Sequence, residues 1–224
     1  MRNGKKETST VKNEKFYSVQ EEKWNVRTHG IGLIIFFSGV IALMIKAFQY
    51  HSPKVFIAFS IYSIGVTAMF FASTLYHSAK ELKRRNRLKV FDHIAIYLTI
   101  AGSYTPMTLL TIPPAWGIPI LCLVWLIAAC GITLKFFFTG RYSKISTVIY
   151  VLMGWVIVIA FKPLVATMAS AGLIWLIAGG LAYTIGAILC QIKGLKFNHA
   201  IFHLCVLAGS MCHYIVVYNY CLKY

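Results

Sequence analysis

Apolar residues come in seven long runs, near 29–49, 54–78, 91–111, 116–137, 145–161, 164–190 and 199–219. Each approaches the roughly 20 residues a helix needs to cross a bilayer core, although the fifth is short and the sixth long. Brief polar breaks separate them, near 49–53, 79–90, 111–115, 138–144, 162–163 and 191–198. Proline in several of these suits helix boundaries. The pattern predicts an all-α integral membrane protein, a bundle of seven transmembrane helices forming one domain over 29–222 behind a polar, basic tail over 1–28. Within the tail, 15–25 predicts a short amphipathic helix with Phe16, Tyr17, Val19 and Trp24 at the lipid surface. In the sixth run Ala178, Ala182 and Gly186 recur every fourth position, a small-residue stripe that lets helices approach closely.

Composition supports this reading. The chain is 58% hydrophobic and 12% charged, with mean hydropathy +0.70, whereas soluble domains carry roughly 25% charged residues. A net charge of +16 raises nucleic acid as a partner, but the basic residues lie in the tail and the short breaks, where membrane orientation is set. That distribution excludes nucleic acid. With the N-terminus cytoplasmic, 18 of the 22 Lys and Arg fall inside, and only Lys46, Lys54, Lys162 and Lys223 outside. The positive-inside rule therefore predicts a cytoplasmic N-terminus and a C-terminus outside. No secretory signal is visible, because more than two dozen polar positions precede the first run. The six cysteines lie in or beside apolar runs without a C-x-x-C pair, and read as small hydrophobic side chains.

Topology then sorts the polar residues. Ser73 and His77 end the second span, Asp92 and His93 begin the third, and His199 and His203 begin the seventh, so all six meet at the cytoplasmic surface. Histidines four apart share a helix face. Three imidazoles and a water form a known plan for catalytic zinc. His77, His199 and His203 are the candidate ligands, with Ser73 one turn before His77. The His-x-x-x-His spacing resembles a zincin helix, yet Ala200 stands next to His199 where that helix carries its Glu base. Asp92 is the candidate base, because it is the one acidic residue heading a span; the alternative for it is an ion pair with Lys89 or Arg87. His29, His93 and His213 are candidates for a supporting role around the site. His213 lies about 15 Å deeper than His203, where packing or a proton path would also account for it. His51, in an outer loop, reads as solvated. Pro106, in Gly102-Ser103-Tyr104-Thr105-Pro106, predicts a kink because it cannot donate to the Gly102 carbonyl.

Five ordered blocks carry a family resemblance. Glu21-Glu22-x-x-Asn25-x-x-Thr28-His29, Ser73-Thr74-Leu75-Tyr76-His77-Ser78, Asp92-His93-Ile94-Ala95-Ile96-Tyr97, Gly102-Ser103-Tyr104-Thr105-Pro106 and His199-Ala200-Ile201-Phe202-His203, followed by His213, resemble bacterial hemolysin III proteins. These are grouped with the progestin and adiponectin receptor family and, with alkaline ceramidases, among membrane hydrolases. The resemblance implies a seven-helix bundle in the bacterial plasma membrane, with Zn2+ held by His77, His199 and His203, and Asp92 and Ser73 close to a zinc-bound water. Three functions follow. The first is hydrolysis of lipid amides or esters, ceramidase-like, with Asp92 as base, Ser73 orienting water or oxyanion, and membrane lipids reaching the site laterally between helices. The second is cytolysis or pore formation. The third is a sensor of membrane state with structural zinc. A site of three protein ligands favours the first, since closed structural sites usually use four.

Overall fold

The computed structural model describes residues 17–222, and those residues form seven helical spans without a strand. In order they are α1 (Val19–Gln49), α2 (Pro53–Ser78), α3 (Leu82–Pro106), α4 (Pro114–Phe138), α5 (Ser143–Gly154), α6 (Phe161–Thr167), α7 (Ser170–Cys190) and α8 (Asn198–Tyr220). A π-helical turn, Met107–Thr111, extends α3, and a 3-10 segment, Val156–Ala160, joins α5 to α6 as one span. Large apolar side chains such as Ile34, Phe37, Phe48, Ile64 and Phe137 are over 60% exposed. Such a surface is tolerable only against lipid.

Three boundaries differ from the hydropathy pattern. The first helix begins at Val19, not near 29, capped by Ser18, whose hydroxyl accepts the Glu21 N–H at 3.2 Å. Its N-terminal turns are polar outside but bury Asn25, Thr28 and His29, a mixture that a search for apolar runs overlooks. The helix predicted over 15–25 is thus the start of α1; its first two positions lie outside the described residues. Most of the predicted break at 79–90 is the first two turns of α3, built from Leu, Lys and Arg, which are good helix formers. The break predicted at 162–163 falls instead after Thr167. Pro163 sits in the first turn of α6, where its missing N–H is no loss, so Lys162 is an exposed helical residue.

The irregular points have local causes. Pro106 lacks an N–H, and the backbone widens into the π turn immediately after it. At the end of α5 the Gly154 carbonyl and the Ile157 N–H lose helical partners. Tyr104 meets both, donating to Gly154 O at 2.7 Å and accepting from Ile157 N at 2.9 Å. α7 and α8 approach closely along Gly172, Gly179 and Gly186, the last of which belongs to the predicted small-residue stripe. A Cβ on those three glycines would lie 2.9, 2.3 and 2.6 Å from side chains of α8 or its neighbours. Toward one end, α1 packs against both α2 and α8, which brings three chain segments to one place.

Candidate metal centre

His77 closes α2, and His199 and His203 open α8 one turn apart. Their Nε2 atoms converge: His199 lies 3.2 Å from His77 and 3.1 Å from His203. Ligand atoms of all three sit within 4.8 Å of one another, the one such group among the described residues. A tetrahedral ion with bonds of about 2.0–2.1 Å sets its nitrogens about 3.3–3.4 Å apart. The cluster has that size.

The other ring nitrogens of His77 and His203 face acceptors. His77 Nδ1 lies 2.7 Å from Glu22 Oε2, and a carboxylate only accepts. His77 therefore carries its proton on Nδ1. His203 Nδ1 lies 3.3 Å from the Asn25 carbonyl, another acceptor, and 3.4 Å from Thr28 Oγ1. His199 Nδ1 faces Cys190 Sγ at 3.5 Å. The Nε2 atoms converge at little over 3 Å, and three neutral imidazoles converging in this way are a donor set suited to zinc and related divalent metals. The residues fit a metal ion.

α1 supplies nearly all of the support. Beyond its contact with His77, Glu22 pairs with Arg85, and Asn25 Nδ2 donates to Glu22 Oε2 at 3.4 Å. Glu21 accepts the backbone N–H of His199 at 3.3 Å. This serves a helix start whose cap residue, Phe197, is left-handed at φ 57° and offers no polar side chain. Tyr17 stacks on the His199 ring, with centroids 4.6 Å apart and planes 14° apart. Burial, reinforced by nearby Cys190, Tyr76 and acidic groups, pushes the Tyr17 phenol well above its ordinary value, so this ring is neutral.

A cavity of about 450 Å³ opens from the cluster and runs among α3, α5, α7 and α8. Ser73, Asp92, His29, His199 and His203 line one end; Tyr104, Trp155, Tyr183 and His213 line the other. The walls between include Ile96, Ile100, Val151, Phe202 and Val206. Ser73 is buried without a hydrogen-bond partner among the described residues. Asp92 is near enough to act electrostatically on His77 and His199, and its Oδ2 lies 3.5 Å from His93 Nδ1. His93 itself points elsewhere, its Nδ1 bonded to the Lys89 carbonyl at 2.9 Å. His29 hydrogen-bonds none of the three clustered histidines and instead stacks on His203. His213 stands far down the cavity, edge-on to Tyr183.

Sequence reasoning gave no role in the site to Glu22, Arg85, Asn25 or Thr28, and it placed Tyr17 at the lipid surface, whereas the ring lies against His199 and lines the cavity. Glu22 and Asn25 were visible within a family block, and spacing of three marks one helix face. Arg85 was not recoverable, because nothing separates it from the exposed basic residues around it until the chain is folded.

Comparison with known proteins agrees with this architecture. The family model described as Haemolysin-III related matches residues 17–214. Hemolysin-3 of Bacillus cereus is 41% identical over 204 residues, covering 91% of this chain and 93% of the relative. A Hemolysin-3 homolog of Bacillus subtilis is 38% identical over 207 residues, covering 92% and 97%. The human Monocyte to macrophage differentiation factor is 31% identical over 169 residues, covering 71% and 68%.

Proposed function

From its membership of the haemolysin-III related family, as a multi-pass protein of the cell membrane, we propose that this chain is a zinc-dependent hydrolase of lipid amides or esters. The observation that carries the reading is the triad of convergent imidazoles, two of which, His199 and His203, line a cavity that also holds Asp92 and Ser73. His77, His199 and His203 would hold the metal from one side. A zinc ion bound there supplies Lewis acidity towards a carbonyl oxygen and lowers the pKa of water towards about 7.

The remaining chemistry belongs to the chain. Asp92 accepts the proton that water loses as it attacks the carbonyl carbon. It returns that proton to the departing nitrogen or oxygen as the C–N or C–O bond breaks, leaving a carboxylic acid product and an amine or alcohol. The free hydroxyl of Ser73 donates to the oxygen on which negative charge develops. Ile100, Val151, Phe202 and Val206 surround an acyl chain and keep bulk water from the reacting carbonyl. A cytoplasmic N-terminus, favoured by the distribution of basic residues, puts this chemistry at the inner headgroup level, where a lipid arrives from the side.

The test begins with metal content. Detergent-purified protein should hold about one zinc per chain, and His203→Ala should lose it while remaining folded. Lipid amides and esters are then assayed, with Asp92→Asn as the control. Wild type that stays metal-free after zinc reconstitution would sink this reading. Vesicle leakage that persists in His203→Ala would instead favour the cytolysis suggested by the name of the Bacillus cereus relative.

A further inference from the structure

One of the few acidic side chains of the chain, Glu22, lies at 15% side-chain exposure with both oxygens engaged. Oε2 takes the Nδ1 proton of His77 at 2.7 Å, and Oε1 pairs with the guanidinium of Arg85. Arg85 is 1% exposed although it stands in the run Lys83-Arg84-Arg85-Asn86-Arg87. Burying a guanidinium costs several kcal/mol unless it is paired and its remaining donors are used. Here Nη2 pairs with Glu22 and Nη1 is used on the helix that carries His77, while Nε has no hydrogen-bond partner among the described residues. Nη1 lies 3.4 Å from the carbonyls of both Tyr76 and Ala79, at the C-terminal end of α2, and the guanidinium sits 4.5 Å over the Tyr76 ring. Arg85 thus grips the backbone on both sides of His77 and aims the carboxylate that holds its ring.

We infer that Glu22 and Arg85 form a positioning device for the metal, in which α1 and α3 together set the tautomer, rotamer and basicity of His77. The inference rests on the reading of the cluster as a metal centre. Its physical content is specific. An imidazole can carry its proton on either nitrogen, and a proton on Nε2 would block the side that faces His199. The Glu22 carboxylate selects Nδ1–H, which leaves the Nε2 lone pair directed at the metal. Its negative charge also makes the imidazole a stronger donor, the effect by which a carboxylate behind a ligating histidine changes metal affinity about 10–100-fold. Arg85 keeps that carboxylate from swinging out to water, which its 15% exposure would otherwise allow.

The test compares full-length wild type, Glu22→Gln, Glu22→Ala and Arg85→Met in detergent. Zinc affinity is measured by competition with a chromogenic chelator, the visible spectrum after cobalt(II) loading, and thermal midpoints on the metal-free proteins. Glu22→Gln removes the charge and keeps one of the two acceptor oxygens, so it can serve His77 or Arg85 but not both. It should weaken zinc about 10–100-fold and shift the cobalt bands in the folded fraction, and the metal-free midpoint should fall as well, because Arg85 stays buried without its charged partner. Glu22→Ala and Arg85→Met should weaken zinc at least as much. Glu22→Gln and Glu22→Ala that bind zinc as wild type does, or that lose metal-free stability with unchanged zinc affinity in the folded fraction, overturn the inference and leave the metal centre standing. Wild type that binds neither zinc nor cobalt overturns both. Wild type that binds zinc tightly but turns over no lipid, with Glu22→Gln weakened, supports the inference and removes only the hydrolase.

Discussion

The imidazole of His29 lies face to face with that of His203, their centroids 3.6 Å apart and their planes within 14°. The edge of His29 meets Phe70 at 5.0 Å, and neither ring nitrogen has a hydrogen-bond partner among the described residues. His29 therefore acts on the cluster as a flat, buried disc. It restrains the plane of His203 by stacking.

That contact makes a prediction about His29. A phenyl ring reproduces the disc and removes two buried, unsatisfied nitrogens, each of which costs about 1–3 kcal/mol. His29→Phe should retain zinc and raise the thermal midpoint. His29→Ala should open a cavity against Phe70 and lower the midpoint, a loss of about 1–3 kcal/mol of stability. Loss of zinc in His29→Phe would show that the imidazole nitrogens themselves matter.

Asp92 and Ser73 separate binding from chemistry. Neither belongs to the convergent nitrogens, yet both line the cavity beside them. Asp92→Asn keeps size and hydrogen bonding but cannot accept a proton. Turnover of a lipid amide should fall about 10²–10⁴-fold with zinc content unchanged. Ser73→Ala, which removes one donor to the developing oxyanion, should fall about 10²-fold or more. Equal zinc and equal turnover in both variants would remove these residues from the reaction.

The α7–α8 contact supplies a test of packing behind the site. A Cβ on Gly186 would stand 2.6 Å from the Cβ of Cys205 and 3.3 Å from the Phe202 ring. Cys205 Cβ cannot rotate away from its own backbone, so the helices must separate. Gly186→Ala should destabilise by about 1–3 kcal/mol and, by moving the turn that follows His203, weaken zinc. Gly180→Ala faces only Trp155, at 3.3–3.4 Å, and should be the milder of the two in a thermal unfolding comparison.

These residues also show which features were legible in the sequence. Seven spans were readable, because an apolar run of bilayer length has few other uses. The meeting of His77, His199 and His203 was readable too. Each sits at a span end, and alternating helix directions place those ends at one depth. Two kinds of feature were hidden. Helix starts that are polar outside and buried inside, such as 19–28 of α1 and 82–90 of α3, escape a hydropathy window. The close approach of α7 to α8 was found only in part. Spacing of four picked Ala178, Ala182 and Gly186, and the structure adds Gly172 and Gly179, which with Gly186 meet α8 or its neighbours at intervals of seven. Which face of a helix meets its neighbour is decided by the neighbour. For the same reason Arg85, alike in sequence to exposed Arg84 and Arg87, disclosed its partner only in the folded chain.

Metal removal gives the last prediction. His77 and His199 are 122 positions apart in sequence, on helices that both pack against α1. An ion held by them cross-links α2 to α8 in the folded state and finds no such site in the unfolded chain. Ligand linkage then stabilises the native state by about 2.7 kcal/mol when free zinc is a hundred times its dissociation constant. A chelator should therefore lower the thermal midpoint of wild type, and added zinc should restore it. His203→Ala should start from the lower midpoint and respond to neither reagent. The same experiment separates a staple from a catalyst only when read beside Asp92→Asn, whose midpoint should track wild type through both additions while its turnover does not. A wild-type midpoint indifferent to chelator and zinc alike would mean that packing of the imidazoles against Tyr17, His29 and one another is what holds this end of the bundle.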